Sequence, residues 1–269
     1  MTASTWWNPY TPLTPQTRRW LGVGAILTVL ALWALVAGAG WVGPNRLPPP
    51  WQVAKAFGYL AWDGENQRSL LLTATLWSVG RVLAAAALVV AIGIPIGVLM
   101  GAAPRINAAL SPLIDPFRSA PVVALLPIMV MWFGIGEWMK ILFLFVGAVV
   151  FLIPMVRDAI IAVPQAYWIS ARDLGATPFE AVRHAVLPMA MPRIADAVIV
   201  GVSVMWTYIT VAEYVNAREG LGQLIQNARR FSAMDQVFAG IIVIIAFALI
   251  SYSAMQWAKR KLYPWETQA

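Results

Sequence analysis

Charge is scarce in this chain, and the few places where it interrupts apolar sequence are where chemistry could occur. Arg81 falls in one apolar run, and Asp115 and Arg118 stand three residues apart in the next. Arg193 and Asp196 repeat that spacing, and Glu213 closes the same later run. A charge inside a membrane span costs at least about 2.5–3.5 kcal/mol on insertion scales, so it turns toward protein or water and away from lipid. The i,i+3 spacing lets Asp115 pair with Arg118 and Arg193 with Asp196 as helix-end ion pairs. Alternatively these charges line a polar path, and Arg81 either joins them or snorkels to the interface. Trp206 and Tyr208 stand before Glu213 as walls of such a path or as core packing.

Enzyme chemistry has little to work with here. The chain has one histidine, no cysteine and no evident nucleophile–base pair. Without cysteine, disulfides and thiolate metal sites are excluded. No G-x-x-x-x-G-K-[ST] run occurs, so the chain cannot cradle nucleotide phosphates in the P-loop manner.

The elements that must position these charges are membrane helices. Of 269 residues 60% are hydrophobic and 12% charged, and the mean hydropathy is +0.71; a soluble domain carries about a quarter charged residues. The apolar residues cluster into runs of about 20, the length that crosses the hydrocarbon core as a helix. This predicts an all-α polytopic membrane protein with six transmembrane helices, over 21–41, 72–100, 108–133, 140–163, 190–214 and 237–258. Fourteen tryptophans suit the membrane interface, and prolines at 95, 121, 127 and 154 mark either broken helices lining a cavity or simple kinks. The run after Arg18-Arg19 is too long for a removed signal peptide and reads as a retained first span. No repeat or low-complexity region divides the chain. A segment 1–20 precedes one membrane domain at 21–258, and a tail at 259–269 follows.

Orientation follows from the basic residues. With both termini cytoplasmic, ten lysines and arginines face inward and seven outward. The firm anchors are Arg18-Arg19 before the first span and Lys259-Arg260-Lys261 after the last, because positive charge beside a span stays inside. The net charge of +7 is scattered through loops, which suits lipid headgroups and gives no basis for nucleic-acid binding.

One cytoplasmic loop, 164–189, is far longer than a connection requires. It reads as two short helices about a hinge. Pro164 opens the first and Gly175 ends it, glycine being free to take positive φ. Thr177 caps the second, Pro178 occupies its first turn and Glu180 completes a capping box. Leu187-Pro188 is expected to stop it before the fifth span. Phe179, Val182 and Val186 share a stripe, away from Arg183. The helix either lies under the bilayer or offers that stripe to another protein. Outside, Pro48–Pro50 start a short helix after the first span and "WDGENQ" closes it. Gly220-Leu221-Gly222 opens an amphipathic helix that serves as a lid or as a docking surface.

"SARDLGATPFEAVRHAVLP" resembles the cytoplasmic loop of permease subunits of bacterial ATP-binding-cassette importers, whose motif runs Glu-Ala-Ala, three residues, Gly, nine residues, Ile-x-Leu-Pro. Aligned on Gly175, the triplet falls on Ile169-Ser170-Ala171 and the end on Leu187-Pro188. The acidic residue is replaced by Ile169, so its salt bridge is not carried over. "LPPPWQVAKAF", "FRSAPVVALLPIMVMWFGIGEWMKI", "GLGQLI" and "LYPWE" extend the likeness across nearly the whole chain, toward permeases for nitrate, sulfonate, taurine or bicarbonate. The resemblance implies the type I ABC importer (MetI-like) permease fold in a bacterial inner membrane, with the loop as a coupling helix in a groove of a separate ATPase. Leu174, Phe179 and Val182 would fill that groove. It also implies a homodimer around the pore, two ATPase subunits and an extracytoplasmic binding protein. The chain itself would bind no cofactor, ATP and magnesium residing on the ATPases. A small anion would pass by Arg81 and Arg118, with sulfonate or taurine ahead of nitrate. The rival class is a secondary transporter or channel, which would want a buried titratable cluster deep in the spans; the sequence offers only the two ion pairs.

Overall fold

Lipid supplies no hydrogen-bond partner for a backbone, so an apolar chain of this kind must close its N–H and C=O groups within helices. The computed structural model describes residues 13–62, 69–215 and 218–268. In chain order its helices are α1 (Pro15–Gly38), α2 (Pro50–Ala61), α3 (Leu70–Leu88), α4 (Ile94–Ala102), α5 (Pro104–Ile114), α6 (Leu126–Phe133), α7 (Glu137–Ile161), α8 (Gln165–Asp173), α9 (Pro178–Ala181), α10 (Leu187–Tyr214), α11 (Leu221–Arg230) and α12 (Met234–Leu262). Five continuous helices are long and apolar enough to span a membrane. A sixth span is formed if Pro104–Arg118 and Val122–Phe133 count as one, although they meet at a 98° bend.

The bend sits where Pro121 removes a backbone donor and disfavours the α region for the residue before it. Short 3-10 turns at Asp115–Arg118 and Val122–Leu125 flank it. Pro127 lies harmlessly in the first turn of α6, and Pro154 is buried inside α7.

Two other prolines are accommodated without a break. Pro188 was expected to end the second loop helix, but α9 runs on into α10 as one segment, Pro178–Tyr214. A π turn over Val182–Val186 makes this possible, with Leu187 N–H reaching back to Val182 O. A proline ring clashes with the carbonyl four residues earlier, and a widened turn moves that carbonyl aside. Pro95 uses the same device: a π turn at Val89–Gly93 joins α3 and α4 into one span, Leu70–Ala102.

At the centre stands α7. Val156, Leu152, Leu144 and Phe143 are fully buried in the core that it forms with α3, α4 and α10. The contact with α4 is set by Gly93, Gly97 and Gly101, one per turn on a single face. A β-carbon on Gly97 would lie 2.6 Å from Val156 Cβ, and one on Gly101 2.6 Å from Ile160 Cβ. Small residues at four-residue spacing let backbones approach closely, which is how membrane helices gain dispersion energy where apolar burial drives nothing. By contrast, α1 has no buried residue and touches the bundle at few places, among them Trp33 stacked on Phe238.

The outer connections follow their local signals. Pro49 caps α2 and Pro50 occupies its first turn; the polar turn expected at "WDGENQ" lies mostly outside the described residues. Gly220, at φ +137°, precedes the amphipathic α11. Gly97→Leu is expected to prevent α4 from seating on α7 and to lower the melting temperature of the detergent-solubilised protein by 10 °C or more (roughly the effect of overpacking a core by several methylenes). Gly58→Leu, at a position open on all sides, should leave it nearly unchanged.

Candidate functional site

The bundle has two polar ends, separated by the roughly 40 Å length of α10. One carries α11 and the first turn of α7. The other carries α8, α9 and the last turn of α7.

At the α11 end an ionic cluster joins three spans to the segment before α11. Arg81 of α3 is 3% exposed. Its Nε donates to Glu137 Oε2 at 2.6 Å and its Nη2 to Glu137 Oε1 at 3.0 Å. Its Nη1 donates to Glu213 Oε1 at 2.7 Å and to the Glu219 carbonyl at 2.8 Å. Four of the five guanidinium donors are thus engaged. Glu213 is fully buried and also accepts from Ser78 Oγ at 2.7 Å and Gly222 N–H at 2.7 Å. Ser78 in turn accepts from Leu221 N–H. Lys140, 2% exposed, donates to Glu137 Oε1 at 2.8 Å. A buried charge survives only when paired and hydrogen-bonded, and this condition is met throughout.

This arrangement corrects two expectations. Arg81 does not snorkel to the interface, because Glu137 and Glu213 give it carboxylates where water would otherwise be needed. The chain also holds more than two edge pairs. Glu137 and Lys140 were missed because they sit at the very start of a span and read as loop charges.

A cavity of about 540 Å³ opens beside the cluster, lined by Trp77, Arg81, Ile135, Gly136, Glu137, Lys140, Arg218 and Glu219. Trp77 lies over the Arg81 guanidinium, 5.5 Å from its ring centre.

At the other end neither i,i+3 pair forms. Asp115 takes Arg157 Nη1 of α7 at 3.0 Å on both oxygens, while Arg118 is exposed. Asp196 takes Lys259 of α12 at 2.7 Å, and Arg193 is exposed. A local helical pair contributes only about 0.2–0.5 kcal/mol. Arg157 and Lys259, each 13% exposed in its side chain, are screened less and win the carboxylates. Arg157 also donates to Ser111 Oγ and thereby ties the bent α5–α6 span to α7.

Trp206 and Tyr208 pack into the core. Trp206 is 3% exposed, donates to Ser251 and lies against Phe247. Tyr208 meets Phe143 edge to face and covers Gly147.

The 164–189 loop forms as its local signals predict, apart from its exit. Gly175 has φ +87°, a left-handed conformation suited to glycine. Thr177 and Glu180 close a reciprocal capping box. Arg172 ties the two halves together by donating to the Ala176 carbonyl. Ala181 and Val186 are buried and Val182 half-buried, whereas Leu174 and Phe179 are 89% and 70% exposed at the tip. Ile169, Ser170, Arg183 and Pro188 are exposed and Ala171 and Leu187 half-buried. The expected stripe is therefore divided: Val186 faces the bundle and Phe179 faces away.

Ser78→Ala should cost about 1–3 kcal/mol, because it strips a partner from the buried Glu213 and leaves Leu221 N–H without its acceptor. Chemical denaturation in mixed micelles measures this.

Residues 93–263 match the family model described as "Binding-protein-dependent transport system inner membrane component". The chain is 34% identical to the taurine transport system permease protein TauC of Escherichia coli, covering 91% of this chain and 89% of that protein. Identity to the putative aliphatic sulfonates transport permease protein SsuC of Bacillus subtilis is 29%, over 88% and 84% of the two chains. Among solved structures, an inward-facing MetNI methionine ABC transporter superposes with a TM-score of 0.64 at 24% identity, over 71% of this chain and 95% of that one. The fold is thus shared with a methionine transporter at a level that speaks to architecture alone. The helical bundle, its two polar ends and this kinship together place the chain among the inner-membrane permease components of binding-protein-dependent ABC importers.

Proposed function

We propose that this permease spans the membrane six times with both termini in the cytoplasm, works as a homodimer, and passes a small organic anion of the sulfonate or taurine type. Nitrate and bicarbonate are the alternatives within the same anion class. The bent α5–α6 pair supplies the sixth span. The Arg18-Arg19 doublet beside α1 and the basic triplet ending α12 put the α8 end inside. The α11 end then faces outward and receives a substrate-loaded binding protein on 42–70 and 215–236. Exposed Arg218, Arg229 and Arg230 lie on that surface.

The observation that carries the coupling reading is the pair Leu174 and Phe179. Two large apolar side chains stand almost fully exposed at the tip of an otherwise charged loop, on a scaffold fixed by a capping box. Exposed apolar clusters on a polar rim mark a surface meant for a partner. The partner is an ATPase subunit that holds the ATP and magnesium, since this chain has no phosphate loop. Two loops, one per copy, would be moved as levers when the two ATPases close on ATP. The pore would then be exposed to one side at a time. Of Arg81 and Arg118, the two cations expected beside the anion path, Arg118 is the exposed one. It stands beside the 98° bend, where a polar path could pass.

Leu174→Asp and Phe179→Asp should each reduce ATP hydrolysis stimulated by loaded binding protein at least tenfold in proteoliposomes, while membrane insertion stays normal. Gly175→Pro should do the same, because proline fixes φ near −65° where the hinge requires +87°. Undiminished stimulation in all three would refute the coupling role. Calorimetry of the partner binding protein against sulfonates (taurine, a zwitterion, included), nitrate and analogues lacking an anionic group tests the substrate class; binding only of compounds lacking an anionic group would overturn the reading.

A further inference from the structure

We infer that the Glu137 carboxylate occupies an anion-binding site in the wall of the α11-end cavity, and that a transported anion takes its place there during passage. The inference rests on the anion reading above and names a site for it.

Among the described ion pairs four charges meet, Arg81 and Lys140 against Glu137 and Glu213. The two carboxylates are held very differently. Glu213 is fully buried, and its partners are Ser78, Gly222 N–H and Arg81. It is a fixed part of the wall. Glu137, which lines the cavity, has a side chain 42% exposed, and among the described residues its hydrogen bonds go to the two buried cations. It can swing into the cavity without dismantling a backbone contact.

If it does, the Nε and Nη2 edge of Arg81 and the Nζ of Lys140 are left facing one point. That edge is planar and bidentate, and it accepts two oxygens of a sulfonate or carboxylate as readily as those of a glutamate. The spot also lies at the N-terminus of the 25-residue α7, where Gly136 offers no side-chain cap and the helix dipole favours negative charge. Trp77 provides an apolar wall for the carbon portion of the ligand, and the cavity of about 540 Å³ leaves ample room. Arg218, exposed on the rim, raises the local concentration of anions. The ligand class is a small organic monoanion with two or more terminal oxygens. Displacement rather than simple filling explains how two cations can stay buried between transport events. Glutamate keeps them neutral until an anion arrives.

The test uses the full-length permease in phosphatidylcholine nanodiscs, with methanesulfonate as probe and dimethyl sulfone as its neutral counterpart. The readout is the concentration giving a half-maximal rise in melting temperature. Glu137→Gln removes the competitor, so it should bind methanesulfonate about tenfold more tightly than the native protein, the effect expected for one half-exposed charge. Dimethyl sulfone should have no effect on either protein. Lys140→Gln leaves Glu137 paired with Arg81 and should bind methanesulfonate at least tenfold more weakly; this variant keeps the question decidable if Glu137→Gln fails to fold. Equal affinities across the native protein and the variants, or equal stabilisation by the sulfone, would overturn the inference. Adding phosphatidylglycerol to the nanodiscs separates a lipid headgroup from a free anion. Unchanged affinity is expected, whereas loss of methanesulfonate binding there would assign the site to lipid instead. The measurement needs neither ATPase nor binding protein, so its failure would leave the coupling reading intact, and failure of coupling would leave this site intact.

Discussion

A hydrocarbon solvent offers no hydrogen bonds, and this constraint shapes every feature of the molecule. Among the described residues, no buried side-chain nitrogen or oxygen is left without a partner. Ser203 and Thr207 return their hydroxyls to carbonyls one turn back. Trp206 finds Ser251 on a neighbouring helix. At Pro95 and Pro188 the helix widens into a π turn instead of opening, whereas at Pro121 the span bends. The ionic cluster obeys the same rule at higher stakes, because an unpaired charge there would cost several kcal/mol.

The same solvent changes what holds helices together. Burying a leucine against another helix gains little when lipid tails are equally apolar, so close contact and dispersion must serve. Gly93 at the end of the π turn and Gly97 and Gly101 on α4 provide it against α7, and Gly147 does the same for Tyr208 of α10. The centre of the bundle is therefore tight, while α1 and the bent α5–α6 pair are bound loosely to it. Arg157, reaching Asp115 and Ser111 together, is the polar tie that keeps the bent pair in place.

Much of this was legible in the sequence. Five of the spans follow from hydropathy, whereas the one expected over 108–133 is two helices meeting at 98°. The loop helices follow from Thr177, Glu180 and Gly175, whose local chemistry decides their conformation without help from the fold. The glycines at 93, 97 and 101 acquire their meaning as a packing face only from the structure. What was not legible is partner choice among charges. Spacing within a helix suggested Asp115 with Arg118 and Arg193 with Asp196, but the actual partners lie 42 and 63 residues away. Arg81 finds Glu213 at a separation of 132 residues. Such pairings depend on how helices are arranged side by side, and a one-dimensional pattern does not contain that arrangement. The exit through Pro188 departs from its local signal for a related reason: proline opposes an ordinary helix, but the wider turn at Val182–Val186 accommodates it.

That exit has a mechanical meaning. Because Pro178–Tyr214 is unbroken, Phe179 and Glu213 ride on one strut, about 50 Å apart at 1.5 Å per residue. A strut pinned near its middle by the tight α7 contact behaves as a see-saw. A tilt of a few degrees at one tip reappears at the opposite tip with reversed sign, without delay and without any relay of side chains between them. The π turn at Val182–Val186 and the proline at 192 are places where such a beam can yield, and both lie toward its Phe179 end.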